Sequence, residues 1–279
     1  MRFNITNPDN DIFIHLLLNS SCNFKCPYCC ATQISSHSDV LKINNQYSEL
    51  NKFDIDNILK YLTVDNIRLL ILGGEPTLSK NLQYLLDKAN LKQNITAIEI
   101  LTNGSVPLNK FKFNKKVQIT FTYHPYIEHQ KNIIKNVEYC LKSNINIEFN
   151  VMIPQDKKYK NIDKLEKILK ILKVKMIPIY PYLPNYKFNY KPYDFENLKF
   201  FKYNDNILSL REVYEKDLNK FKGWKCYNKS FIIDINKKVR QCSGKILGDI
   251  ETFNFNNFVQ ICELDYCIYE GFLRNTKEY

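Results

Sequence analysis

The chain of 279 residues carries nine cysteines against seven glycines, and 40 Lys+Arg against 29 Asp+Glu, for a formal net charge of +11. At 44% hydrophobic and 14% aromatic it can bury a sizeable core, which excludes disorder as its main state. No stretch approaches the roughly 20 apolar residues that cross a bilayer, and the polar residues 1–11 lack the apolar segment of a secretory signal. The expected setting is therefore the cytoplasm, where thiols stay reduced and cysteines serve metals or catalysis rather than disulfides. Most of the basic excess is Lys, in a sequence also crowded with Asn, Ile and Tyr. It reads as a solvated surface, with nucleic acid or another acidic partner as the alternative.

In chain order, the apolar run at residues 12–18 predicts a buried strand. A second, 67–74, ends in Gly73-Gly74 and leads into a helix over 78–91. A third spans 96–104 and a fourth 116–125, the latter ending at His124-Pro125. The helix over 128–142 places Ile133, Ile134, Val137, Cys140 and Leu141 on one face. A fifth strand over 145–154 is followed by a helix over 161–173, and a sixth strand occupies 174–181.

Strands alternating with helices imply parallel pairing and right-handed crossovers, and near-continuous apolar strands imply a sheet covered on both faces. Six units fall short of a closed eight-unit barrel, so a partial barrel and a doubly wound sheet both fit. In either, the active site belongs at the C-terminal ends of the strands. The pattern changes near Pro184. Residues 182–225 are rich in Tyr, Phe, Lys and Asn, with an amphipathic helix over about 206–221. From Cys226 onward come two short strands and a cysteine-bearing, loop-rich segment. The expected division is 1–183, a bridging segment 184–225, and 226–279.

Cys22, Cys26 and Cys29 stand at C-x3-C-x2-C spacing on the loop after the first strand. Three thiolates on one loop suit zinc or iron–sulfur. Zinc wants a fourth protein ligand, for which Cys30 is at hand; a four-iron cluster held by three cysteines keeps one iron open. Gly73 and Gly74 allow close approach of backbone to a ligand. Asn150 is a lone amide in an apolar strand and needs partners. Four further thiols, Cys226, Cys242, Cys262 and Cys267, form a full ligand set for zinc or one iron–sulfur cluster. Cys140 falls on the apolar face of its helix and reads as a core thiol.

The cysteine loop, with Tyr28 before the third cysteine, resembles the signature loop of the radical S-adenosylmethionine (SAM) superfamily, and Gly73-Gly74-Glu75 resembles that family's GGE motif. The resemblance implies an α/β fold: a partial (β/α)6 TIM-like barrel followed by a small β-hairpin and loop-rich cluster domain. It implies a SAM-binding [4Fe-4S] cluster on Cys22, Cys26 and Cys29. It also implies S-adenosylmethionine at Gly73, Gly74 and Glu75, with the Glu75 carboxylate at its amino group. Thr102, in Thr102-Asn103-Gly104, matches a family pattern, although a simple turn explains it equally. Thr122, His124 and Asn150 fall where the family uses polar groups for ribose or carboxylate; His124 also reads as a substrate contact or a strand cap. The segment from Cys226 to Cys267 resembles a Twitch domain, the short form of SPASM. That implies one auxiliary [4Fe-4S] cluster, with zinc as the alternative.

By resemblance the chemistry is one-electron cleavage of SAM to a 5′-deoxyadenosyl radical, which takes a hydrogen atom from the substrate. The electron would come from flavodoxin or ferredoxin. The expected substrate is a peptide that is oxidised, crosslinked or epimerised. Because the first strand starts near residue 12, no leader-binding domain is expected before it. The alternatives are a small molecule such as a sugar or alcohol, RNA, and a non-catalytic zinc-binding interaction protein. The RNA reading leans on the net charge and on the interleaved aromatic and basic residues of 180–203.

Overall fold

The computed structural model describes residues 11–26, 29, 48–124, 131–153, 174–178, 220–227, 229–241, 244–256, 258–263 and 276–278. The helices expected at 161–173 and 206–221, and Cys30, Cys242 and Cys267, lie outside them. Six strands appear where apolar runs predict them: β1 (Ile12–Asn19), β2 (Ile67–Gly73), β3 (Ile95–Thr102), β4 (Val117–Tyr123), β5 (Asn146–Ile153) and β6 (Val174–Pro178). Each pairs in parallel with the next.

Alternation splits these strands into two faces. Ile14 and Leu16 of β1, Leu69 and Ile71 of β2, Ile98 and Ile100 of β3, and Ile119 and Phe121 of β4 are buried and in register, with Leu18 buried at the bulge that ends β1. They pack under three helices, α1 (Lys52–Tyr61), α2 (Leu82–Asn90) and α3 (Lys131–Lys142). The other, inner face carries His15, Glu99, Thr120, Thr122, Glu148 and Asn150. The sheet is apolar where helices cover it, and on the inner face these polar groups are interspersed with Leu17, Leu70, Leu72 and Leu101.

The 78–91 helix begins later than its periodicity suggests. Pro76–Leu78 forms a 3-10 turn, and regular helix starts at Leu82. Helix α1 is absent from the sequence reading. Its signal is a capping box, in which Asn51 accepts from the backbone of Asp54 and Asp54 accepts from that of Asn51. Ile55, Ile58 and Leu59 supply the buried stripe.

The C-terminal strands β8 (Ser230–Ile233), β9 (Lys238–Arg240) and β10 (Ile246–Asp249) extend the same sheet. Strand β8 runs parallel to β1, giving the nine-stranded order β10-β9-β8-β1-β2-β3-β4-β5-β6. The turn from β8 to β9 is held by Asp234, buried, which accepts from the backbone N–H groups of Asn236 and Lys238 and pairs with Arg240 at 2.6 Å. Lys237, in the left-handed region at φ 63°, reaches Asp54 of α1 at 3.0 Å. A separate three-stranded sheet joins β7 (Lys225–Tyr227), β11 (Val259–Ile261) and β12 (Thr276–Glu278). Among the described residues no helix is long and apolar enough to cross a membrane.

Phe231 of β8 anchors this extension. Its ring lies 5.2–5.8 Å from those of Phe253, Phe255 and Phe258, all in edge-on arrangements. Phe231→Ala should lower stability by about 3–5 kcal/mol, read from the denaturant midpoint of unfolding.

Candidate functional site

The groups singled out by sequence gather at the C-terminal ends of β1 to β4. Strand β1 continues past its last pair: Asn19 accepts from the N–H of Gly74 at 2.9 Å and Ser21 from that of Glu75 at 2.7 Å. The loop bearing the cysteines thus lies against the glycine pair. A Cβ on Gly74 would run into the Ser21 carbonyl, and one on Gly73 into Asn19. Only glycine permits this approach.

Glu75 is buried and accepts four hydrogen bonds. Its Oε1 takes the N–H of Thr77 at 3.1 Å and the hydroxyls of Thr77 and Thr102 at 2.5 and 2.7 Å. Its Oε2 takes the N–H of Asn103 at 2.7 Å. The carboxylate expected to hold an ammonium is therefore first a brace between β2 and the loop after β3. Acceptor capacity remains at Oε2. That loop turns at Gly104, at φ +68°, where a side chain would press on Ile133.

The Asn103 side chain reaches back to the cysteine loop, donating to Asn23 at 3.1 Å and to the Cys22 sulfur at 3.9 Å. The sequence singles out Thr102 of the Thr102-Asn103-Gly104 turn and gives no role to Asn103 or Asn23. Cys22 Sγ also accepts from the N–H of Phe24 at 3.3 Å. Burial raises the Cys22 pKa above its ordinary value; the Phe24 N–H opposes this, while Glu75 and Cys29 add to it. Cys29 donates its N–H to the carbonyl of Cys26 at 3.1 Å. Cys26 Sγ lies 3.6 Å from Nδ1 of His124, whose ring meets Phe24 edge-on. Burial lowers the His124 pKa to about 4, so the ring is neutral at pH 7. Among the described residues no three His, Cys, Asp or Glu side chains close into a metal-ion cage.

Thr122 and Asn150 sit side by side on the inner face of β4 and β5. Asn150 is 8% exposed, and its Oδ1 has no hydrogen-bond partner. Asn19 Oδ1, beside Gly73, is likewise buried and unpartnered. Orphaned buried acceptors are costly, and a ligand bearing hydroxyl and ammonium donors would satisfy them. Three thiols on one loop, a backbone cradle and two waiting acceptors fit an iron–sulfur cluster with SAM.

Of the second cysteine set, Cys226 and Cys262 are described. Cys226 of β7 pairs with Gln260, and Cys262 follows two residues on, bonding its N–H to the Trp224 carbonyl at 2.9 Å. Both fall on one face, in the diagonal relation that separates strand neighbours by about 7–8 Å. Cys140 is fully buried in α3, and burial pushes its thiol up to about 12.

A profile of the Radical SAM superfamily matches residues 17–172. GTP 3',8-cyclase from Staphylococcus epidermidis is 34% identical over 94 residues, 33% of this chain and 26% of the relative. The cyclase from Ectopseudomonas mendocina is 27% identical over 95 residues, again 33% and 26%. The matched segment spans about a quarter of those relatives' length. Among solved structures, AdoMet-bound anSMEcpe superposes with a TM-score of 0.54 at 18% identity, covering 87% of this chain and 78% of that one. Streptococcus suis SuiB bound to S-adenosylmethionine gives 0.53 at 15% identity, covering 90% and 63%. At such identities the likeness is one of fold, and it decides for the partial barrel over the doubly wound sheet.

Glu75→Gln would place an amide nitrogen against a donor whichever way it turned, with a cost of about 1–3 kcal/mol. Hydrogen exchange at the Asn103 amide should accelerate, while amides at the centre of β3 keep their protection.

Proposed function

The chain belongs to the radical SAM superfamily, and we propose that it is a peptide-modifying member with one auxiliary cluster. A radical SAM enzyme uses a [4Fe-4S] cluster and SAM. When bound, they supply a 5′-deoxyadenosyl radical that removes a hydrogen atom from a substrate carbon. The observation that carries the reading is the convergence of the Cys22-Cys26-Cys29 loop, the Gly73-Gly74-Glu75 cradle and the Thr102-Asn103-Gly104 turn on one end of the sheet.

In this reading Cys22, Cys26 and Cys29 hold the cluster. The backbone of Gly73 and Gly74 lies against the methionyl part of SAM, and Glu75 offers the remaining capacity of Oε2 to its ammonium. Asn150 accepts from a ribose hydroxyl beside Thr122 and His124. Residues 1–183 form the barrel, 184–225 the bridge, and 226–279 a Twitch-like module. There Cys226, Cys242, Cys262 and Cys267 bind the auxiliary cluster; the shared face of Cys226 and Cys262 supports this. Flavodoxin or ferredoxin supplies the electron in the cytoplasm.

A peptide is favoured over RNA by the inner face. Glu99, which accepts from Thr120 at 2.6 Å, and Glu148, which is in register with Thr120, present carboxylates there. Carboxylates repel phosphate and accept from amides and amines. Solved structures of this fold include anSMEcpe with AdoMet and the Cp18Cys peptide, with a TM-score of 0.51 at 18% identity, covering 86% of this chain and 77% of that one.

Anaerobic reconstitution with iron and sulfide should give visible absorbance that bleaches on reduction, and the reduced protein should convert SAM to 5′-deoxyadenosine. Cys22→Ala should abolish that conversion; bound zinc without iron in the parent would end the reading. Cys226→Ala should retain SAM cleavage and lose modified peptide. Deuterium passing from labelled candidate peptides into 5′-deoxyadenosine would identify the substrate, whereas transfer only from a sugar or alcohol would move it to small molecules.

A further inference from the structure

Asn103 contributes nothing to the sheet or to the helix layer, yet its side chain is buried and each of its polar atoms is engaged. Its Oδ1 accepts from the N–H of Ser105 at 2.9 Å. A backbone N–H can only donate, so the atom facing Ser105 must be the oxygen. The Nδ2 group is thereby turned toward the cysteine loop. One of its two hydrogens goes to Asn23 Oδ1 at 3.1 Å and the other to Cys22 Sγ at 3.9 Å. The orientation is fixed at the backbone as well, since the Asn103 N–H is held by Glu75 Oε2 at 2.7 Å. Cys22 Sγ thus accepts two N–H groups, one from Phe24 in its own loop and one from a strand end 81 residues away.

We propose that Asn103 is a positioning residue that sets the reduction potential of the cluster through an N–H···S hydrogen bond to Cys22. This rests on Cys22 ligating that cluster, as proposed above. Adding an electron increases the negative charge on the cluster sulfurs. A donor fixed on a ligand sulfur stabilises that charge more in the reduced state than in the oxidised one, and so raises the potential. The bond costs no rearrangement at reduction, because Ser105 and Glu75 have already oriented the amide. The same residue ties electron uptake to the cofactor cradle, for Glu75 joins the Asn103 turn to the Gly73-Gly74 loop.

The test is a redox titration of the reconstituted protein followed by EPR. Asn103→Leu fills the same volume without a donor. At a fixed potential its ratio of reduced to oxidised cluster should fall about tenfold, equivalent to ~59 mV for one electron. Asn23→Ala cuts the tether between the loops but leaves the N–H···S bond, and should shift the ratio less than about twofold. A purely structural Asn103 would make both variants shift alike, and that result overturns the proposal, as does an unchanged potential in an Asn103→Leu protein of normal iron content. If Asn103→Leu fails to assemble a cluster, the parent decides. Pulsed EPR of protein labelled with 15N at the asparagine side-chain amides should show coupling to the reduced cluster, and its absence overturns the proposal. A parent that binds no iron fails at the earlier step and overturns the cluster assignment itself.

Discussion

One buried carboxylate organises the working end of this molecule. Glu75 accepts from Thr77, Thr102 and Asn103, and so joins the end of β2 to the end of β3 and to the turn that opens the next helix. A carboxylate removed from water must be compensated by donors, and these residues supply them from two chain segments, the turn after β2 and the end of β3. The Glu75 backbone adds a third connection, its N–H bonding the Ser21 carbonyl in the cysteine loop. Loosening this acceptor would release the glycine cradle, the Asn103 turn and the cysteine loop together.

The two faces of the sheet divide the remaining labour. The helix-covered face, from Ile14 and Leu16 through Leu69 and Ile98 to Phe121, supplies the burial that stabilises the fold. The inner face carries hydrogen-bonding groups whose needs the fold does not fully meet, Asn150 above all. Polar groups left waiting in a hydrophobic scaffold cost stability. They are tolerated where a ligand repays them, which here means the inner face beside the proposed cofactor site.

The parallel strands were legible because each is a nearly continuous apolar run closed by a turn, and the cysteine spacing and glycine pair mark the loops at their ends. Helix α1 escaped because its cap uses Asn51 and Asp54 rather than the commoner Ser or Thr with Glu. Long-range partnerships were not legible. Nothing local in 230–233 says that it pairs with β1, since an apolar strand fits any parallel neighbour. The Asn103 amide likewise finds its sulfur 81 residues away through a turn whose sequence reads as ordinary. Glu75 shows the opposite case, in which a motif was visible but its braced geometry was not. The cysteines of the second set were grouped by count, and the structure places Cys226 and Cys262 on one face of one small sheet.

The junction of β8 with β1 has a consequence for biosynthesis. His15 and Ser230, hydrogen-bonded at 3.1 Å, are separated by 215 positions. At a ribosomal pace of 5–20 residues per second, roughly 10–40 s pass between the emergence of the two strands. Throughout that interval one edge of β1 lacks the strand that will cover it, whereas β2 follows early and covers the other. The nascent barrel thus emerges with an open, apolar edge that waits for β8, made 215 positions after His15, and closing it is a slow, non-local step.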